Sequence, residues 1–213
     1  IQDDPRTPIS SLPYTISEPG SYYVTGNLSS TGHGIIIQSS GVTVDLMGFS
    51  LTGDGTSSYP DYENGIHVNG STNAVIDRVI IKGGSISGFY DGLRYNVMNN
   101  SRIKELVVSG NANQGVYLKR SDGNTITDCT ISGNAASGVY LNGSDSGQCD
   151  GNTITNCTIS ENGFYGVRLY TDSSGQCDGN TLQGNSIKGN VDRGIYIFRG
   201  DGNRIEGNNI WGN

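Results

Sequence analysis

The sequence lacks a basic excess, long apolar runs and helical periodicity. Its 13 Lys and Arg are outnumbered by 20 Asp and Glu, giving a net charge of −7. This balance argues against a nucleic-acid partner, because phosphate binding needs a basic surface. No apolar run approaches the ~20 residues that span a bilayer, so we expect no membrane span. Only 33% of residues are hydrophobic, a share that would indicate disorder if the chain were not periodic.

The chain does contain a repeat, of which the stretch GVYLKRSDGNTITDCTISGNAAS at residues 115–137 is the clearest copy. Each copy opens with Gly followed by apolar, outward and apolar residues. The opening glycines are Gly34, Gly65, Gly92, Gly115, Gly138, Gly166 and Gly194, separated by 31, 27, 23, 23, 28 and 28 residues. Self-similarity of this period is typical of a solenoid, in which stacked copies bury a shared core.

Within a copy the apolar residues alternate as in half-buried strands, and DGN and SGN turn signals separate three such strands. The pattern predicts an all-β parallel β-helix of about seven coils, each with three short strands, over residues 34–213. Residues 1–33 do not fit the repeat and are predicted to form an N-terminal cap. The chain stops at IWGN without a cap, so we expect further domains or another chain at the C-terminal end.

The copy at residues 65–91 is the least regular. We assign Ile76 to the second inward column and Ile81 to the third, where Ile86 competes with it. The long loop GDGTSSYPDYEN at residues 53–64 is expected on the functional side, where solenoid loops of this length cluster.

The four cysteines follow the register of the repeat. Cys149 and Cys177 each lie 11 residues after their opening Gly, in matched insertions, so we predict a disulfide between two exposed loops. The alternative is two free thiols in a reducing compartment. Cys129 and Cys157 stack in an inward column, where small buried thiols fit as well as a bridge. Paired, aligned cysteines favour an extracellular or periplasmic location.

Asn and Asp recur at fixed places in the coils. Asx side chains bond turn backbones, and stacked Asn side chains bond each other along a coil, which is the interpretation we favour. The alternative is a Ca²⁺ site, either on the stacked carboxylates of the DGN turns (Asp122, Asp150, Asp178 and Asp201) or on the insertion loops with Asp145 and Asp172. No other cofactor is indicated.

The most informative feature is the outward position of the first strand. In successive copies it holds Ile36, His67, Arg94, Tyr117, Tyr140, Arg168 and Tyr196. At about 4.8 Å per coil, the part from His67 to Tyr196 spans about 24 Å. Aromatic rings stack on sugars and Arg forks bind carboxylates, so the row predicts a surface for an acidic polysaccharide. We assign substrate binding to Tyr140, Tyr196, Lys119, Tyr170 and Phe198. The alternative is ordinary solvated sheet surface.

The recurring GVYL…DGNTIT…CTISGN pattern resembles the repeats of the pectin-lyase-like superfamily over about residues 34–213. The likeness is to its carbohydrate-binding and sugar-hydrolase type and its periplasmic copper-maturation type. This resemblance implies a single-stranded right-handed parallel β-helix and a polysaccharide partner. The Tyr-Gly-x-Asp-Pro-His motif of the epimerases is represented only by FYDGLRYN at residues 89–96, and the paired Asp clusters of polygalacturonase-like hydrolases are absent.

If the surface is catalytic, the expected reaction is β-elimination on a uronate. A cation would neutralise the carboxylate as the C5 proton leaves, and a base would take that proton. We assign the cation to Arg94 or Arg168, and the base or acid to His67 or Tyr117, with Lys119 as a further base. The alternative is a non-catalytic glycan-binding or adhesive rod of a larger surface or phage-fibre protein.

Overall fold

The computed structural model describes residues 4–55 and 62–213, and every helix or strand element in these residues is a β-strand. The strands are β1 (Thr7–Ile9), β2 (Tyr14–Ile16), β3 (Gly20–Val24), β4 (Leu28–Ser29), β5 (Ile35–Ile37), β6 (Val42–Asp45), β7 (Ser50–Thr52), β8 (Ile66–Asn69), β9 (Ile76–Asp77), β10 (Ile80–Ser87), β11 (Leu93–Asn96), β12 (Met98–Asn99), β13 (Arg102–Ser109), β14 (Val116–Lys119), β15 (Thr125–Thr127), β16 (Thr130–Ser132), β17 (Val139–Asn142), β18 (Thr153–Thr155), β19 (Thr158–Ser160), β20 (Tyr165–Tyr170), β21 (Thr181–Gln183), β22 (Ser186–Lys188), β23 (Arg193–Phe198), β24 (Arg204–Glu206) and β25 (Asn209–Trp211).

The strands stack in parallel into three faces. The front face, as we call it, is the eight-stranded sheet β2-β5-β8-β11-β14-β17-β20-β23. The second face runs β1-β3-β6-β10-β13-β15-β18-β21-β24, and the third runs β4-β7-β10-β13-β16-β19-β22-β25. The eight-residue strands β10 and β13 turn the corner and belong to both of these faces. The predicted all-β, single-stranded right-handed parallel β-helix is therefore confirmed.

The opening glycine of each copy is required by the close approach of the next coil. A Cβ atom on Gly115 would lie 2.6 Å from the carbonyl oxygen of Gly138, and Gly138 itself meets Gly166 in the same way at 2.8 Å. Inside the coil, the alternating residues of each strand fill one continuous core; Val116 and Leu118 are fully buried there. The repeated pattern of Gly followed by apolar, outward and apolar residues is thus a consequence of the parallel stacking of the coils.

Buried asparagines form ladders along the coil, as the favoured interpretation predicts. Asn134 shows the pattern: its Oδ1 accepts hydrogen bonds from the backbone N and Nδ2 of Asn111, at 3.2 and 2.8 Å. Its Nδ2 donates to Asn162 Oδ1 at 3.0 Å and to the carbonyl of Val108 at 3.2 Å. The two longest ladders are Asn111-Asn134-Asn162-Asn190-Asn213 and Asn124-Asn152-Asn180-Asn203. They satisfy the turn backbones that an apolar side chain would leave unpaired.

The segment predicted as a cap continues the coil instead. β2, β3 and β4 pair with β5, β6 and β7, in the same order as later coils, and β1 adds a further strand to the second face. Ile9 and Ile16 are buried in the common core. Tyr14 pairs with Ile35, so Pro13 stands where later copies have their opening Gly. A search based on that glycine does not detect this coil.

The assignment of inward columns in the copy at residues 65–91 is wrong by one strand. Ile81 pairs with Ile103 on the second face, and Ile86 pairs with Val108 on the third. Ile76 belongs to neither column, because its strand β9 pairs with β12 in a separate two-stranded sheet at the corner. From the sequence alone, the extra corner strand β9 cannot be told apart from the second strand of the coil, and this caused the wrong assignment.

Candidate functional site

The strand register of the front face places the predicted outward residues in one file. The pairs that define it are Ile36 with His67, His67 with Arg94, Arg94 with Tyr117, Tyr117 with Tyr140, Tyr140 with Arg168, and Arg168 with Tyr196. We call the six residues from His67 to Tyr196 the front file. They lie on six successive coils of a rigid sheet, so their spacing is set by backbone pairing and not by loops.

Side chains of the front file pack on one another instead of extending into solvent. The Arg94 guanidinium lies 4.8 Å from the ring centre of Tyr117, and the Tyr117 and Tyr140 ring centres are 5.0 Å apart. As a result, Tyr117 and Tyr140 are each only 9% exposed. Their predicted role as open stacking platforms for sugar rings is restricted accordingly. They act mainly as packing for the arginines beside them.

Arg94 already has a charge partner. Its Nη1 lies 2.9 Å from Oδ2 of Asp91, which is fully buried. The other Asp91 oxygen accepts hydrogen bonds from the backbone of Gln114 and from Asn113, each at 2.9 Å. Burial raises the pKa of the Asp91 carboxyl, while these hydrogen bonds and Arg94 favour its charged form. The positive charge of Arg94 is therefore balanced within the protein.

Arg168 is different, since no carboxylate of the described residues forms an ion pair with it. Its guanidinium carbon lies 4.5 Å from the ring centre of Tyr140, 4.6 Å from that of Tyr170 and 5.8 Å from that of Tyr165. Its Nε is buried and has no hydrogen-bond partner. Tyrosine rings thus hold an unneutralised guanidinium in a partly desolvated cage.

The two other proposed acid–base residues are constrained by burial. Tyr117 Oη accepts a hydrogen bond from Asn142 Nδ2 at 2.8 Å, and burial raises the pKa of the Tyr117 hydroxyl. Burial, then the nearby His33 and Arg94, lowers the pKa of His67 from 6.5 to about 4. At neutral pH, Tyr117 is therefore protonated and His67 is an uncharged, weakly basic imidazole.

The depressed pKa of His67 predicts a loss of stability in mild acid. Because the unfolded chain binds a proton on this residue near pH 6.5 and the folded chain only near pH 4, stability falls as the pH drops through that window. After allowance for partial exposure, we expect His67 to account for roughly 2 kcal/mol of this loss.

The measurement is urea unfolding of wild type and His67→Phe at several pH values between 7 and 4. Wild type is expected to lose more unfolding free energy than the variant as the pH falls, whereas parallel curves would contradict the assignment. His33, whose pKa is also lowered by burial, remains in both proteins as the internal reference.

The flanking residues fall into two groups. Lys119 Nζ lies 2.9 Å from Asp145 Oδ2, and Arg120 lies 3.3 Å from the same carboxylate, so the first insertion loop is held against the front face. Tyr170 and Phe198 stack at 5.3 Å with an interplanar angle of 15°, and Phe198 is 38% exposed. Of the predicted binding residues, this aromatic pair offers accessible ring surface, and Lys119 is already paired.

The predicted disulfide is not formed. Cys149 and Cys177 are free thiols with no exposed surface, and Cys129 and Cys157 are also free and buried. The insertion turns its cysteine inward: Cys149 Sγ lies 3.4 Å from the carbonyl oxygen of Ser121 and belongs to the core. Burial raises the pKa of the Cys149 thiol. The prediction of a bridge between exposed loops was wrong, because the length of the insertion does not show that its path turns inward at the cysteine.

The stacked aspartates act as backbone acceptors. Asp150 Oδ1 accepts the N–H of Asp178 at 2.7 Å, and Asp122 Oδ1 accepts that of Asp150 at 2.8 Å. Within residues 4–55 and 62–213, no group of three or more His, Cys, Asp or Glu side chains could hold a metal ion. The Ca²⁺ alternative with Asp150 and Asp178 as ligands therefore gains no support, and the aspartates extend the Asx ladders.

The protein is therefore a β-solenoid. Its candidate site is the front file of cationic and aromatic residues, which follows one continuous sheet. The chain belongs to the NosD family, described as "Periplasmic copper-binding protein (NosD)", whose sequence profile matches residues 15–213. The predicted extracellular or periplasmic location is thereby confirmed. Among curated proteins no significant match was found. In the described part of the chain, no helix has the length and apolar character needed to cross a membrane.

Several solved structures share the fold. ORF18 of Geobacillus virus E2 is 15% identical, with a TM-score of 0.69 over 88% of this chain and 43% of that one. The Dettilon tailspike protein gp208 is 12% identical, with a TM-score of 0.61 over 86% of this chain and 42% of that one. The periplasmic alginate epimerase AlgG is 10% identical, with a TM-score of 0.55 over 88% of this chain and 50% of that one. The chain thus spans half or less of each, and the likeness shows the fold alone.

The copper in the family description does not fit the donor set of this chain. Copper sites in proteins use clustered imidazole, thiolate or thioether ligands. The chain has two histidines, whose rings meet edge to face at 5.0 Å beside the charge of Arg94. All four thiols lie in the core. No group of three or more His, Cys, Asp or Glu side chains that could hold a metal exists among the described residues, so we derive no chemistry from copper.

Proposed function

We propose that the protein binds a uronate-containing polysaccharide along its front face, with Arg168 receiving a sugar carboxylate. The observation that carries the proposal is the unneutralised guanidinium of Arg168, with a buried and unpartnered Nε. A desolvated donor without an acceptor is costly, and a carboxylate is the acceptor that matches the guanidinium fork. Arg94 is not an equivalent carboxylate-binding group, because its guanidinium already forms an ion pair with Asp91.

The surroundings of Arg168 suit a sugar ring. Tyr196 and Phe198 lie on the next coil, with ring centres 6.4 Å apart and an interplanar angle of 19°. The stacked Tyr170 and Phe198 present an aromatic edge next to the guanidinium. Aromatic surface beside a carboxylate-binding group is the combination that an acidic sugar would use. Because the front file continues over successive coils, it could contact several sugar units of one extended polymer.

Cleavage by β-elimination is the second candidate, favoured by the position of His67, Arg94 and Tyr117 on consecutive coils. His67 is uncharged and could accept a proton, although its pKa of about 4 makes it a weak base. Arg168 lies four coils from His67, about 19 Å away, so these two cannot act on one sugar. We therefore place binding first and cleavage second.

Both candidates are tested by one titration. The protein is titrated calorimetrically with alginate, pectate and glycosaminoglycans, with dextran as the uncharged control, while ultraviolet absorbance reports any unsaturated product. We expect saturable binding to at least one acidic polymer, weaker at high salt, and no rise in absorbance. A rising absorbance would establish cleavage, and no binding to any acidic polymer would overturn the proposal.

A further inference from the structure

We infer that a pocket at the N-terminal end of the front file binds an uncharged, hydroxyl-bearing sugar unit. The pocket has a volume of about 560 Å³ and its lining includes His33, Tyr62, Asn64, His67, Arg94 and Asn96. It lies four coils from Arg168 along the file. The inference deepens the proposed function, because a neutral unit here and a uronate at Arg168 together define a mixed polysaccharide.

Two buried polar atoms in this lining have no hydrogen-bond partner. They are Oδ1 of Asn64, a residue with no exposed surface, and Nε2 of His67. Natural proteins rarely leave such groups unpaired, and each one costs free energy until a ligand satisfies it. Both residues belong to a cavity open to solvent. The two atoms therefore mark the positions where a ligand would make its polar contacts.

The hydrogen bonds around these atoms fix what the ligand must supply. Asn64 Nδ2 donates to the carbonyl of Tyr62 at 2.9 Å and lies 3.2 Å from His67 Nδ1. An amide nitrogen can only donate, so His67 Nδ1 is the acceptor and the proton of the neutral ring lies on Nε2. The pocket then presents one donor, His67 Nε2, and one acceptor, Asn64 Oδ1. A hydroxyl both donates and accepts, and a sugar carries several of them.

The charge of the pocket disfavours an anion. Arg94 lies in the lining, but its guanidinium is balanced by Asp91 at 2.9 Å. Glu63 also lines the pocket and places a carboxylate near His33. A second carboxylate from a ligand would meet no unpaired cation here. The contrast with Arg168 is therefore between an uncharged subsite at one end of the file and a cationic one about 19 Å away.

The test uses the imidazole signals, since the chain contains only two histidines. Protein with ¹⁵N-labelled histidine is titrated with methyl glycosides of glucose, galactose, mannose and rhamnose, and in parallel with glucuronate and galacturonate. We expect at least one neutral glycoside to shift the His67 Nε2 signal saturably. Arg168→Gln is expected to give the same shift, which separates this site from the carboxylate site.

In calorimetry, His67→Phe keeps a planar ring but lacks the Nε2 donor, and is expected to weaken binding of the same glycoside at least about tenfold. His67→Gln keeps an amide donor, so its affinity is expected to lie between those of wild type and His67→Phe. Circular dichroism checks the folding of both variants. Absence of any neutral-sugar shift, a shift with the uronates only, or unchanged affinity in His67→Phe would each overturn the inference, whether or not Arg168 binds a carboxylate.

Discussion

Arg168→Gln is expected to weaken binding of the acidic polysaccharide by about 100-fold, because truncating one partner of a desolvated charge pair costs ~2–5 kcal/mol. Gln keeps polar character and much of the length but loses the charge and the fork. The affinity of Arg168→Lys is expected to lie between those of wild type and Arg168→Gln. Lys keeps the charge but neither the bidentate geometry nor the stacking on Tyr140 and Tyr170. Calorimetric titration gives the affinities directly.

The matched control is Arg193→Gln on the same face. Arg193 is exposed, lies 5.1 Å from the ring centre of Tyr196, and has Asp192 at 3.9 Å. Its loss is expected to change affinity less than threefold, because exposed charges contribute little. Equal effects of the two substitutions would mean that general electrostatic attraction, and not the Arg168 cage, governs binding. An unchanged affinity in Arg168→Gln would remove the basis of the proposed site.

Asn134→Ala is expected to lower the free energy of unfolding by about 3–5 kcal/mol, the largest stability effect that we predict. The substitution leaves the backbone N–H and Nδ2 of Asn111 without their acceptor, and it removes the side-chain donor to Asn162 Oδ1 and to the carbonyl of Val108. Each unsatisfied buried group costs ~1–3 kcal/mol. Since the coils are stable only through their neighbours, the loss should appear in the whole transition. Chemical denaturation followed by circular dichroism measures it.

Asn73→Ala provides the comparison, because Asn73 is exposed in a turn. Its substitution is expected to change stability by less than about 0.5 kcal/mol. If both variants unfold at the same denaturant concentration as wild type, the asparagine ladders are not what stabilises the coil. The tests on Asn134 and Arg168 are independent, because one concerns the interior and the other the front face.

The parts of this structure that follow from periodicity could be predicted from the sequence. The two-residue alternation around Tyr117 and the glycine needed where Gly115 approaches Gly138 set the register, and the register places six side chains in one file. What periodicity does not encode is the partner of each side chain. Nothing in the spacing indicated that Arg94 is paired with Asp91 while Arg168 is unpaired.

The other misses have the same physical origin, since loop and turn geometry is not periodic. The inward turn of Cys149 and the corner strand at Ile76 both depend on the path of an insertion. One signal was available for the pocket: Asn64 immediately precedes an opening glycine, as does Asp91. Tyr165 and Arg193 occupy the same position and pair on the front face. These residues form a second column, one residue before each opening glycine, that can be recognised from the sequence.

The most direct test of the carboxylate site is a crystal structure of the protein with the acidic oligosaccharide that binds it most tightly. The account predicts the sugar chain lying along the front file, with one carboxylate in bidentate contact with the guanidinium of Arg168 and a ring against Tyr170 or Phe198. A ligand bound on the second or third face, or on the front face with no acid group at Arg168, would contradict it.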